Sequence, residues 1–160
     1  GILYLLMDDW DGALEAFRWY ERMFPDDVGE PFHFLSWALA LYHAGQLEEA
    51  ALRLRQAMLS NLYMIPRLLG IEQEELDLWY GSMEAEKDYL AYAAPEIWTL
   101  WDDEARAWAR RMYERDDFQR VRERYIEIHE LLRSEPRGPR RSRLVREMLA
   151  LASGQNAPGG

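Results

Sequence analysis

Apolar residues recur at intervals of three and four along most of the chain, the spacing that places one stripe on the buried side of an α-helix. Phe34, Trp37, Ala38 and Leu41 form one such stripe, and Leu47, Ala50 and Leu54 form the next. The breakers fall between stripes. Glu30-Pro31 suits a helix entry, where the missing proline N–H costs nothing, and Ala44-Gly45 suits an exit through a left-handed cap. The pattern predicts helices from the start to about Met7, from Asp11 to Phe24, Pro31 to Ala44, Leu47 to Leu62 and Ser82 to Ala93. Three more are predicted from Pro95 to Glu114, Asp117 to Arg133 and Pro139 to Leu151. Between Tyr63 and Gly81 the periodicity weakens: Ile65 to Gly70 reads as a short helical turn, and Gln73 to Tyr80 as a further short stretch. Residues 1–152 are expected to form one helical domain, and the polar, Gly-rich residues 153–160 a fraying tail.

Self-comparison at periods of 20 to 50 residues shows a repeat. Trp10, Ala13 and Phe17 share their spacing with Leu47, Ala50 and Leu54, with Ser82, Ala85 and Tyr89, and with Phe118, Val121 and Tyr125. The small or central positions Ala13, Ala50, Ala85 and Val121 are 37, 35 and 36 residues apart. Each unit reads as a helix, a short turn and a second helix, which requires the pair to pack antiparallel. Asp8, Asp9 and Asp11 at the first turn, and Asp116 and Asp117 at the last, suit the free N–H groups of the helices that follow.

These residues resemble the tetratricopeptide repeat. In the first unit Gly1, Tyr4, Ala13, Phe17 and Pro25 fall in its register, although Tyr20 stands where a small residue is usual. In the second, Trp37, Ala38, Leu41, Gly45, Ala50, Leu54 and Ala57 match, with Leu62 in place of the closing Pro. The fourth matches through Trp108, Ala109, Met112, Phe118, Val121, Tyr125 and Ile128, and the third only in its second helix. The segment Asn61-x-Tyr63-x-x-Pro66-x-Leu68-Leu69-Gly70, with Gly81-Ser82 and Glu84-Ala85 after it, also resembles bacterial proteins of this repeat class. In that register Gly1 opens in mid-helix, as in a processed or excised fragment.

The resemblance implies an all-α fold of about four stacked helix pairs with a C-terminal helix, curved so that the first helices line a concave face. It implies a non-catalytic module that binds a peptide or protein segment, with Leu35, Leu39, Tyr42 and His43 toward the groove. The opposing reading is that the chain itself covers this face and closes a bundle. Chaperone-binding members clamp a terminal carboxylate with Lys and Asn, whereas Leu35, Ser36 and Leu39 occupy the matching positions here, which disfavours that ligand.

Composition narrows the alternatives. The chain has no Cys, so thiolate metal sites and thiol nucleophiles are excluded. No apolar run approaches the ~18 residues of a membrane span, and the chain reads as soluble and cytoplasmic. Of the 7 Trp residues, Trp10, Trp37 and Trp108 stand in core register, and Trp98 and Trp101 are read as packing more readily than as a ligand box. His33 and His43 lie about 80° off a common helical face, and no metal-pair spacing, phosphate loop or nucleophile elbow occurs, so neither enzyme activity nor a metal or cofactor is expected.

Net charge is −10, unevenly placed. Residues 1–104 hold 21 acidic and 6 basic side chains, net −15, whereas 105–160 are net +5. Arg137, Arg140, Arg141, Arg143 and Arg146 form the one basic cluster, expected to fold back on the acidic N-terminal part or to meet that part in another copy. An acidic partner for this cluster, an RNA-binding repeat that uses it, and a homo-oligomeric structural subunit such as a dimer are the alternative readings. The acidic balance disfavours nucleic acid.

Overall fold

The computed structural model describes residues 1–25, 27 and 29–154. Among them are nine α-helices, two 3-10 segments and no strand. The helices are α1 (Ile2–Leu6), α2 (Trp10–Met23), α3 (Pro31–His43), α4 (Leu47–Ser60), α5 (Met64–Leu69), α6 (Pro95–Thr99), α7 (Asp103–Tyr113), α8 (Asp116–Ser134) and α9 (Pro139–Ala152). No described helix is long and apolar enough to cross a membrane.

Helix starts follow the capping chemistry. The Asp9 carboxylate accepts from the Gly12 N–H (2.9 Å), Glu30 accepts from the Phe32 and His33 N–H groups (3.0 and 3.1 Å), and Asp102 accepts from Ala105 (2.8 Å). α3 and α5 end before Gly45 (φ 73°) and Gly70 (φ 69°), where a side chain would strain the left-handed backbone.

The first four helices pack in chain order: α1 on α2, α2 on α3, α3 on α4, with α1 also on α3. Ala13, Ala38, Ala50 and Ala57 are wholly buried, and the missing bulk lets the backbones approach. Ten of the thirteen residues of α3 are buried, so this helix is enclosed rather than half-wetted. One apolar cluster extends from Leu5 to Leu151.

Beyond α4 sequential neighbours still meet, α4 on α5, α7 on α8 and α8 on α9, but non-sequential contacts join them. α8 and α9 return to pack on α4, α5 lies on α7, and α6 reaches α1. The expected third unit does not form. Its second helix, predicted from Ser82 to Ala93, is two 3-10 segments, Met83–Ala85 and Lys87–Tyr92, and Gln73 to Tyr80 has no regular structure. An α-helix here would set Glu72 over Glu75, Glu74 over Asp77 and Glu84 over Asp88, pairs of like charge that each disfavour it by a few tenths of a kcal/mol. The segment is held instead by the buried Asn61, whose amide donates to the Glu84 and Glu86 carbonyls (2.9 and 3.0 Å) while its oxygen accepts from the Tyr63 N–H (3.0 Å). Ala85, read as a repeat-core position, is half-buried there.

The single helix predicted from Pro95 to Glu114 is likewise divided. The indole of Trp101 turns into the core, Asp102 restarts the helix, and Arg106 donates to the Trp98 and Trp101 carbonyls (both 2.8 Å), the former also accepting from the Trp101 N–H (3.3 Å). At the C-terminus, Gln56 and Arg55 donate to the Ser153 and Gly154 carbonyls (3.2 and 2.7 Å), so these two residues are pinned to α4 rather than frayed. Residues 155–160 of the expected tail lie outside the described residues.

Replacing Asn61 by Ala removes three hydrogen bonds at a buried position, at a cost of about 2–4 kcal/mol. Amide exchange at residues 84–86 rises first, measured by hydrogen exchange, while α3 stays protected until global unfolding.

Candidate functional site

The face expected to bind a partner is occupied by the chain itself. Phe32, Leu35, Leu39 and Tyr42 follow one another at intervals of three and four and so share one side of α3. At one end Phe32 meets the edge of Trp98 (centroids 5.4 Å apart) and lies 5.9 Å from Tyr89. At the other, Tyr42 lies 5.0 Å from Trp108. Between them Leu35 and Leu39 are 0% exposed. Tyr42 is half-buried, and His43 is exposed with its ring 3.8 Å from Trp10. The expectation of an open groove at Leu35 and Leu39 is corrected accordingly: both side chains are wholly buried, with Tyr89, Trp98 and Trp108 against the neighbouring Phe32 and Tyr42.

The arginine cluster does not fold back on the acidic half. Arg141 donates to the Leu132 and Glu135 carbonyls at the end of α8 (2.7 and 2.9 Å), and Arg140 lies 3.5 Å from the Glu135 carboxylate. Among the described residues Arg137, Arg143 and Arg146 make no ion pair. Other arginines span the two halves: Arg133 reaches Asp77 (3.2 Å) and holds its carboxyl below the ordinary range.

An open trough runs along the other side of α3 and α4, toward α9. It consists of two depressions of about 620 and 540 Å³ that share Tyr20, Asp27, Gly29, Phe34, Gln56 and Ala152. The larger is floored by Leu59, Leu62, Leu78 and Tyr125, with Glu30, Glu84 and His129 on its walls. The smaller is lined by Phe24, His33, Trp37, Arg53, Arg146 and Leu149.

Its polar groups are mostly tied. Arg53, almost wholly buried, donates to Glu21 (2.6 Å) and Gln56 (3.0 Å) and lies 3.6 Å over the Trp37 ring. Asp27 accepts from the Tyr20 hydroxyl and from the Gly29 N–H, and these bonds hold its carboxyl below the usual range while raising the Tyr20 phenol. Glu30 accepts from the Tyr89 hydroxyl (2.8 Å) as well as capping α3. Burial pushes His33 down to about 4, among the rings of Tyr20, Phe17 and Trp37 at 4.7, 5.1 and 5.8 Å. His129 is also lowered by burial, and its Nε2 has no partner. Both rings are neutral at pH 7. Among the described residues no three of His, Asp and Glu are grouped to hold a metal ion. The arrangement offers apolar contact, ring stacking and a carboxylate rim.

The trough walls escaped sequence reading because they come from residues as far apart as Tyr20 and Ala152. One signal was present. Phe34 and Trp37 lie on a different side of the Pro31–His43 helix from Leu35 and Leu39, so apolar residues occupy more than one face.

The neutral His33 has a stability consequence. Its ordinary value is 6.5 and its folded value is about 4, so between these the unfolded chain binds the extra proton. Stability that is complete above pH 6.5 therefore falls as pH drops toward 4, with His129 acting in the same direction. Thermal melts across this window show a declining midpoint, and His33→Phe, which keeps the aromatic packing, flattens the decline.

No family model, curated protein or solved structure matches the chain, so the functional argument rests on its own residues.

Proposed function

We propose that the chain is a non-catalytic protein-interaction module, a helical array of the tetratricopeptide-like kind in its first two hairpins, which receives a segment of another protein in the trough beside α4. The observation that carries this reading is the continuity of the two depressions, which share one wall from Tyr20 to Ala152 and so accept an extended chain rather than a compact ligand. Buried small residues at Ala13, Ala38, Ala50 and Ala57 support the repeat-like packing of α1 to α4. The trough replaces the Leu35 and Leu39 face as the binding surface.

The lining sets the partner's chemistry. Tyr20, Phe24, Phe34 and Leu149 favour aliphatic or aromatic anchors, as in other recognition grooves. The carboxylates of Glu21, Asp27, Glu30 and Glu84 outnumber the guanidiniums of Arg53 and Arg146 in the lining, which favours Lys or Arg between those anchors and supports a basic, apolar peptide segment over RNA.

Peptide arrays read with the purified chain test this. Peptides alternating Arg or Lys with Phe or Leu bind, and acidic versions do not. Ala152→Arg, which fills the shared wall, and Glu84→Arg, which reverses the rim, each weaken binding by roughly tenfold or more, about 1.4 kcal/mol. Binding that survives both substitutions in a folded chain removes the trough as the site.

A further inference from the structure

Two turns distant in sequence form one end of the molecule. The Trp10 ring, just after turn 7–9, lies 3.8 Å from the His43 ring, just before turn 44–46, and Arg18 donates to Gln46 (2.7 Å). Met7 (67% exposed) and Leu47 (49%) are thereby presented beside Asp8, Asp9, Asp11 and Glu48, all exposed. Leu3, one turn before Met7 on α1, is 73% exposed and extends the apolar part. This is an apolar patch with an acidic margin.

The complementary surface lies on the same chain. Arg143, Arg146 and Leu149 are exposed along α9, the last two at the edge of the trough, and Arg137, also exposed, precedes the helix; among the described residues the three arginines form no ion pair. Their neighbours Arg140 and Arg141 are engaged with the end of α8 and leave this side free. The basic side does not pair within the molecule with the acidic end, although residues 1–104 are net −15 and residues 105–160 net +5.

We propose that a second copy of the chain docks the outward side of its α9 on the acidic end formed by turns 7–9 and 44–46. The two surfaces differ, so the contact is head-to-tail, and each added copy leaves one surface of each kind open. Leu149 meets Met7 and Leu47, while Arg137, Arg143 and Arg146 face the carboxylates. Exposed pairs of this kind direct orientation and are screened by salt, which makes the assembly dependent on ionic strength. The docked copy also meets Arg146 and Leu149 at the edge of the trough, whereas Arg137, Arg143, Asp11 and Glu48 do not line it, so substitution at these four positions leaves the trough itself unchanged.

Light scattering of the whole chain tests it. At about 0.2 mM protein, a range that detects weak contacts, and about 0.01 M ionic strength, where charges act over roughly 30 Å, the mean mass exceeds that of one chain. It falls to one chain near 1 M salt, where the range is about 3 Å. Arg137→Glu with Arg143→Glu, and separately Asp11→Arg with Glu48→Arg, each abolish the association. An equal mixture of the two double variants restores it, because each contact again joins opposite charges. A wild-type chain that stays single at low salt overturns the proposal, as does association that persists in either variant or a mixture that remains single. Peptide binding in the trough, read on dilute protein where the chain is single, is unchanged in both variants, so loss of one property is distinguishable from loss of the other.

Discussion

The helix Pro31–His43 is apolar on every side, and the rest of the structure follows from having to cover it. It carries no carboxylate, Lys or Arg, and ten of its residues are buried. α2 and α4 cover two sides by simple succession along the chain. Leaving Phe32, Leu35, Leu39 and Tyr42 in water would forfeit roughly 1.5–3 kcal/mol for each large side chain. An open superhelix with a wetted inner face does not satisfy that demand. Tyr89, Trp98 and Trp108 supply the cover, and the array closes.

Closure brings irregular backbone and broken helices against the core, and their carbonyls need donors. Arginine supplies them repeatedly. Arg106 and Arg110 reach the end of α5 at Leu68 and Leu69, Arg122 reaches Leu62, Arg141 the end of α8, and Arg55 the Gly154 carbonyl. A guanidinium suits this task because its donors form a fixed fork and it keeps its charge when partly buried. Arg124 uses the same fork on Glu147 (2.7 and 2.9 Å), tying α8 to α9 and holding that carboxyl low. Of the C-terminal arginine cluster, Arg140 and Arg141 are likewise tied to the end of α8.

The trough occupies the side of α3 and α4 that α9 reaches but does not seal. Two histidines kept neutral by burial, a carboxylate tied to Tyr20 and a guanidinium tied to Glu21 leave little free charge in its depth, so recognition there depends on ring and methyl contacts with acidic groups at the margin. The proposed binding surface thus lies on the flank of the second hairpin rather than on the inner face of the array.

Helix periodicity is a local property, and it was legible residue by residue: the α3 and α4 starts at Pro31 and Leu47, the stop at Gly45, the short turn ending at Gly70, and the small alanines where helices cross. The weakness between Tyr63 and Gly81 was legible too, whereas the loss of α-helix from Ser82 to Ala93 was not. The sequence by itself determined an all-helical chain and the faces each helix must hide. Tertiary structure alone decided what hides them: Trp101 breaking a helix to enter the core, Asn61 holding a segment more than twenty residues away, and Tyr20 meeting Ala152 across the trough. The reason is that apolar attraction has no direction and names no partner. Periodicity states that a surface must be covered, and only the folded chain states by what.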